Sequence, residues 1–134
     1  MATQFTVSAQ EALQQAQAEA MRRDHQELQP EHLLYALVAS EDGSGIVPNI
    51  LKLAEVDIAA LKRRLEERLD KLPKVSGGTG QIYASNAFNR VLALAEGEAK
   101  QLEDEYVSGE HFLLSLLSPQ LKDTEAAKML KGLG

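Results

Sequence analysis

The chain of 134 residues carries 14 Lys and Arg against 20 Asp and Glu, so its formal net charge is −6. The length favours a single domain, and an apolar fraction of 44% with 25% charged residues is ordinary for a folded protein, which argues against disorder. The lack of cysteine excludes disulfides and thiol chemistry, and the negative charge argues against nucleic-acid binding.

Four helices are predicted in the first half of the chain, because apolar residues recur there at spacings of three and four. Their predicted bounds are about 6–24, 30–40, 47–54 and 57–71. Thr6 and Ser8 are equally suited to cap the first helix. Pro30 fits the first turn of the second helix, and Asp57 fits the N-cap of the fourth.

Three further helices are predicted in the second half by the same periodicity, at about 85–103, 108–118 and 124–131. Ser85 and Ser108 are suited to cap the first two of these helices. No stretch alternates apolar and polar residues as a half-buried strand would. The sequence therefore predicts an all-α fold with about seven helices.

The two halves are predicted to be copies of one helical unit, since shifting the chain by 79 residues, the separation of Pro30 and Gly109, aligns three blocks without gaps. In one block, 30–37 (Pro-Glu-His-Leu-Leu-Tyr-Ala-Leu) falls on 109–116 (Gly-Glu-His-Phe-Leu-Leu-Ser-Leu). The other aligned positions are Leu13, Ala16, Glu19 and Ala20 with Leu92, Ala95, Glu98 and Ala99, and Leu51-Lys52 with Leu130-Lys131.

The copies span about 5–73 and 83–134 of one domain over 1–134, and a glycine-rich connector at 74–82 joins them. The second copy stops where the first continues into a long helix. We therefore expect the second copy to be truncated and the chain to be part of a longer protein. Two similar helical halves packed together leave grooves between their first and second helices, where a peptide can dock apolar side chains.

A Glu-His pair recurs at the start of a predicted helix in each copy, as Glu31-His32 and Glu110-His111. One interpretation is that the pairs organise the helix start, where an acidic side chain complements the positive helix end. The other is a binding surface near one or both pairs. The third histidine, His25, has no partner at ligand spacing, so we expect no metal site. No nucleophile is specified beside either pair, and no catalytic residue is predicted.

The charged run 62–68 interleaves bases with acids and predicts a solvated helix face. The pairs expected at i,i+4 are Lys62–Glu66 and Arg63–Glu67. No aromatic residue interleaves with this run, which again argues against nucleic acid as a partner. The acidic cluster 103–105 is either a solvated helix end or the flank of a groove that accepts basic, apolar peptides.

The longest apolar runs are too short to cross a membrane, and the first residues lack the basic and apolar regions of a secretory signal. We therefore expect no membrane partner and a cytoplasmic location.

Three features together resemble the N-terminal domain of the Clp ATPases, over essentially the whole chain. They are the repeated Glu-His block, the stretch 8–13 (Ser-Ala-Gln-Glu-Ala-Leu) and residues 72–77 (Leu-Pro-Lys-Val-Ser-Gly). The last of these is most similar to ClpB-type disaggregases. The resemblance implies a mobile all-α domain tethered ahead of two AAA+ modules that bind ATP and Mg²⁺, whereas this domain needs no cofactor and is not an enzyme.

The resemblance also implies a function and a site. Such domains capture unfolded or aggregated client polypeptide and deliver it to the pore of a homohexamer that works with the DnaK system. The implied binding residues are Thr6, Asp104 and Glu110. An apolar groove would have Leu92 on its floor and His111 at its edge, and His111 departs from ClpB members that have an apolar residue there. The alternative is docking of a folded adaptor protein, as in ClpA and ClpC relatives.

Overall fold

The computed structural model describes residues 4–39, 46–72, 74, 82–121 and 124–133. The helices are α1 (Val7–Arg22), α2 (Pro30–Val38), α3 (Ile46–Leu53), α4 (Ile58–Lys71), α5 (Asn86–Gln101), α6 (Gly109–Leu116) and α7 (Glu125–Leu133). The strands are β1 (Gln4–Phe5), β2 (Glu27–Leu28), β3 (Tyr83–Ala84) and β4 (Tyr106–Val107). The predicted all-α class with about seven helices is confirmed. Apart from residues 74 and 82, the predicted connector lies outside the described residues.

Helix starts are fixed by side-chain caps. Thr6 Oγ1 accepts a hydrogen bond from the Ala9 N–H at 3.1 Å, so Thr6 is the N-cap of α1 and Ser8 lies inside the helix. Ser85 caps α5 and Asp57 caps α4 in the same way. Each such cap is typically worth about 1 kcal/mol, because it satisfies an N–H group that has no partner within the helix.

The expectation that the chain forms no strand is wrong. β1 pairs in parallel with β4, with Phe5 opposite Val107, and β2 pairs in parallel with β3, with Leu28 opposite Ala84. Two residues are too few to show the alternation by which a strand is detected in a sequence. Each strand pair joins the first half of the chain to the second.

The parallel pairing determines which helices begin side by side. Strand β1 leads directly into α1, and strand β4 leads directly into α6. Because the two strands are parallel, α1 and α6 begin side by side at the same end of this strand pair. By the same reasoning α2 and α5 begin together beyond the other pair. Asp24 and Glu103, which follow α1 and α5, both adopt the left-handed conformation, with φ of 60° and 57°. The chain therefore turns from helix to strand in the same way in both halves.

The core lies between the two halves. The buried ridge of α1 consists of alanines, which lets α2 approach α1 closely. Phe112 of α6 is fully buried, and its ring stacks on Phe5 of β1 with centroids 6.0 Å apart. No helix among the described residues is long and apolar enough to cross a membrane.

The charged face of α4 is exposed as expected, but its predicted ion pairs do not form. Neither Lys62–Glu66 nor Arg63–Glu67 comes within salt-bridge distance among the described residues. Glu66 instead accepts a hydrogen bond from the Tyr35 hydroxyl at 3.1 Å. Glu66 is therefore engaged with α2 and not with Lys62 of its own helix.

Candidate functional site

His111 holds the start of α6 together. The backbone N–H of Ser108 donates to His111 Nδ1 at 2.8 Å, so the ring carries its proton on Nε2 and donates it to Asp104 Oδ2, also at 2.8 Å. His111 is only 1% exposed. The interpretation that the Glu-His pair organises the helix start is confirmed.

The two carboxylates beside His111 are accessible and fixed in position. The Ser108 hydroxyl donates to Glu110 Oε1 at 2.6 Å, and Glu110 remains partly exposed. Asp104 is held by His111 while 46% of its side chain is exposed. Two acidic groups therefore face solvent from one capping motif, with their orientations set by Ser108 and His111.

Thr6 joins this cluster through the strand pair. Its N–H donates to the Val107 carbonyl at 2.9 Å, which places the start of α1 beside β4. The structure thus brings Thr6, Asp104, Glu110 and His111 together around β4. Leu92 lies on α5 and packs half-buried against the core. The carbonyl of its neighbour Val91 accepts a hydrogen bond from the Ser115 hydroxyl of α6, the helix that carries Glu110.

Exposed apolar side chains surround the cluster and were not identified from the sequence. Val7 follows Thr6 and is 71% exposed, and Tyr106 is the exposed residue of β4. Leu114 of α6 and Leu117, the C-cap residue of α6, are exposed at i+4 and i+7 from Glu110, so they share its helix face. We call these four side chains with Thr6, Asp104 and Glu110 the β4 surface. The helical spacing of Glu110, Leu114 and Leu117 was the available signal in the sequence.

The first half of the chain has an equivalent capping motif in which a histidine replaces the aspartate. The Gln29 N–H donates to His32 Nδ1 at 2.9 Å, and His32 Nε2 contacts His25 Nδ1 at 2.8 Å. His25, for which no partner at metal-ligand spacing was expected, thus has His32 as a hydrogen-bond partner. Burial and the neighbouring His25 lower the pKa of His32 to about 4, and burial lowers the pKa of His25.

Glu31, at the position equivalent to Glu110, is closed off from solvent. It is 3% exposed, and α7 covers it, with the backbone N–H of Ala126 hydrogen-bonded to its carboxyl group. Burial raises the pKa of the Glu31 carboxyl. The backbone N–H groups of Ala126 and of Glu31 itself, and the positive charge of Arg68, act in the opposite direction and lower it. Only Glu110 of the two glutamates is thus available to a partner.

Within the described ranges, no group of three or more His, Asp or Glu side chains is placed to hold a metal ion. The β4 surface combines two accessible carboxylates with several exposed apolar side chains. Such a surface has the chemistry to bind apolar chain segments with basic residues beside them.

The fold defines the class as a helical domain whose first and second halves are joined by short parallel strand pairs. Residues 4–133 match the Clp repeat (R) N-terminal domain, and the chain belongs to that family.

Its relatives include ClpB chaperones. The chain is 36% identical over 129 residues to the chaperone protein ClpB of Clostridium tetani, covering 94% of this chain and 14% of that protein. It is 45% identical over 116 residues to ClpB of Nitratidesulfovibrio vulgaris, covering 84% and 13%. The chain thus spans only a small part of the length of these curated relatives.

Solved structures show the same fold. The N-terminal domain of Hsp104 from Candida albicans matches with a TM-score of 0.78 at 26% identity, covering 97% of this chain and 88% of that one. The N-terminal domain of the ClpV1 ATPase from Escherichia coli matches with a TM-score of 0.81 at 24% identity, covering 95% and 76%.

Proposed function

We propose that this domain captures unfolded or aggregated client polypeptide on the β4 surface and delivers it to an AAA+ hexamer formed by the rest of a ClpB-like chain. In this proposal Thr6, Asp104 and Glu110 contact the client, and Leu92 contributes apolar contact at the floor of the site. His111 acts indirectly, because its buried ring positions Asp104. Cooperation with the DnaK system, a cytoplasmic location and the ATPase activity of the parent protein belong to the same proposal.

The observation that carries the proposal is the difference between the two halves. Glu31 lies under α7, whereas Glu110 is accessible and shares its helix face with Leu114 and Leu117. Exposed leucines beside a hydrogen-bonded acidic group fit a surface that binds a partner better than a surface that merely faces solvent.

The expected binding is weak and reversible. A client segment that covers a few hundred Å² of apolar surface gains several kcal/mol at roughly 25 cal/mol per Å². Most of this gain is offset by ordering a flexible chain. Weak binding suits a domain that must release its client to a pore. The accessible carboxylates favour segments in which Lys or Arg flanks the apolar residues.

The test is fluorescence anisotropy with a labelled, permanently unfolded protein. The double variant Leu114→Gln/Leu117→Gln is expected to weaken binding about fivefold or more, because each leucine loses part of its apolar contact. Both side chains are already substantially exposed, so circular dichroism should show an unchanged helical fold.

The matched control is Leu53→Gln, at the end of α3, where the leucine is 87% exposed and lies outside the β4 surface. Unchanged affinity is expected for this control. Equal losses in the double variant and the control would refute the assignment of the site. Stoichiometric binding of a folded protein in place of unfolded chains would favour the adaptor-docking alternative.

A further inference from the structure

A polar cleft of about 370 Å³ lies between α4 and α7, away from the β4 surface. Four basic and two acidic residues line it together with Met129. The charged residues are Arg64, Arg68, Lys71 and Lys128, with Glu67 and Glu125. Four positive charges against two negative ones leave the lining basic, although the whole chain carries −6. This local reversal of sign attracts an anionic partner.

The basic side chains are poorly neutralised by the protein itself. Lys128 Nζ lies 3.9 Å from a Glu125 oxygen, at the outer limit of an ion pair. Arg64 and Lys71 form no salt bridge within the described part of the chain. Arg68 is partly neutralised by the buried Glu31, whereas Arg64, Lys71 and Lys128 keep most of the positive charge that a ligand would meet.

Two buried polar atoms, one on Arg68 of the cleft lining and one on Glu31, also lack hydrogen-bond partners. Arg68 Nε and Glu31 Oε2 are both inaccessible to solvent and have no hydrogen-bond partner. Glu31 is 97% buried, and its carboxyl interacts with both Arg68 and Glu125 of the cleft lining. Unpaired buried polar atoms are rare in folded proteins because they cost free energy. A carboxylate that enters beside Arg68 would give the guanidinium group a further acceptor.

The spacing of the basic residues matches a peptide. Arg64, Arg68 and Lys71 form a stripe along α4 about 10 Å long at 1.5 Å per residue, which is too long for one small anion to bridge. In an extended chain, alternate side chains point the same way and lie about 6.6 Å apart. That distance is close to the rise of about 6 Å between Arg64 and Arg68. Met129 offers apolar contact for the aliphatic part of a glutamate.

We propose that the cleft between α4 and α7 binds short acidic segments of extended polypeptide through Arg64, Arg68, Lys71 and Lys128. The cleft complements the β4 surface, whose carboxylates favour basic segments. The acidic-peptide proposal rests on residues of the cleft alone and does not depend on the function proposed for the β4 surface.

The experiment titrates the peptide acetyl-Glu-Ala-Glu-Ala-Glu-amide into isotope-labelled protein at low salt, where screening is weak. Saturable amide shifts are expected along α4 and α7, and the glutamine version of the peptide should produce none. Arg64→Glu and Lys128→Glu are each expected to weaken binding roughly threefold to tenfold, as exposed charge pairs are individually modest. Both residues are exposed, so the fold should survive either substitution.

The matched control is Arg63→Glu, which makes the same charge change one residue away, outside the cleft. It should bind like the unsubstituted protein, as should the double variant of Leu114 and Leu117. The proposal is overturned if no saturable shifts appear, or if Arg63→Glu weakens binding as much as Arg64→Glu. It is also overturned if inorganic phosphate at equal ionic strength displaces the peptide as readily as the unlabelled peptide does, since the cleft would then bind simple anions.

Discussion

Replacing Phe112 with alanine is expected to lower the free energy of unfolding by about 3–5 kcal/mol, the usual range for a buried phenylalanine. Phe112 is fully buried on α6, and its ring stacks on Phe5 of β1. Alanine therefore leaves a cavity and removes the aromatic contact that fastens the first strand to the second half of the chain. The loss should be large because both halves of the fold share this contact.

Urea unfolding followed by circular dichroism measures the effect. The control on the same helix is Leu114→Ala, whose side chain is 41% exposed and whose loss should cost less than about 1 kcal/mol. The dependence of the unfolding free energy on urea should be similar in both variants. A cost below about 1 kcal/mol for Phe112→Ala would show that this ring does not link the two halves.

Lowering the pH from neutral towards 4 is expected to destabilise the domain. The pKa of folded His32 is about 4 against an ordinary value of 6.5, so between these values the unfolded chain binds a proton that folded His32 does not. The contribution of neutral His32 to the free energy of unfolding is therefore fully present above pH 6.5 and is lost as the pH falls towards 4. At about 1.4 kcal/mol per pH unit, the loss from His32 alone is on the order of 3 kcal/mol.

Two neighbouring groups modify this loss. His25, whose pKa is also lowered by burial, destabilises the fold in the same direction as the pH falls. Glu31 acts in the opposite direction, because its raised pKa means that the folded chain binds its proton first. The contribution of Glu31 to stability is therefore present at low pH and lost as the pH rises through its folded pKa.

The measurement is the free energy of unfolding in urea at several pH values between about 7.5 and 4.5. The informative variant is His32→Gln, since glutamine is a common residue at this position of a capping box and does not titrate. This variant should be less stable at neutral pH and should show a shallower loss below pH 6.5. If the free energy of unfolding falls with pH equally steeply in the variant and in the unsubstituted protein, groups other than His32 cause the acid sensitivity.

The helices and most caps were predictable from the sequence because they are local. Apolar spacing located the seven α-helices of the described residues to within a few positions, and Asp57, Ser85 and Ser108 stand where caps were predicted. The choice between Thr6 and Ser8 could not be made locally. Thr6 is selected because its N–H pairs with Val107, about a hundred residues away in the chain.

The strands and the burial of the polar groups were not predictable from the sequence, because they depend on contacts between residues that are far apart in the chain. A two-residue strand contains no alternation, and its partner lies in the other half of the chain. The contact between His25 and His32 depends on the left-handed turn at Asp24. Glu31 and Glu110 each precede a histidine in the first turn of a helix, and this shared pattern does not reveal that α7 covers Glu31 and leaves Glu110 accessible.

The most direct test of the account is to map amide shifts of the isotope-labelled domain as an unfolded client protein is titrated in. The largest shifts are expected on the β4 surface, at Thr6, Val7, Asp104, Tyr106 and Glu110. They are also expected to saturate at a weak affinity. Shifts centred on α2 and α3, with the residues around β4 unmoved, would contradict binding at this surface.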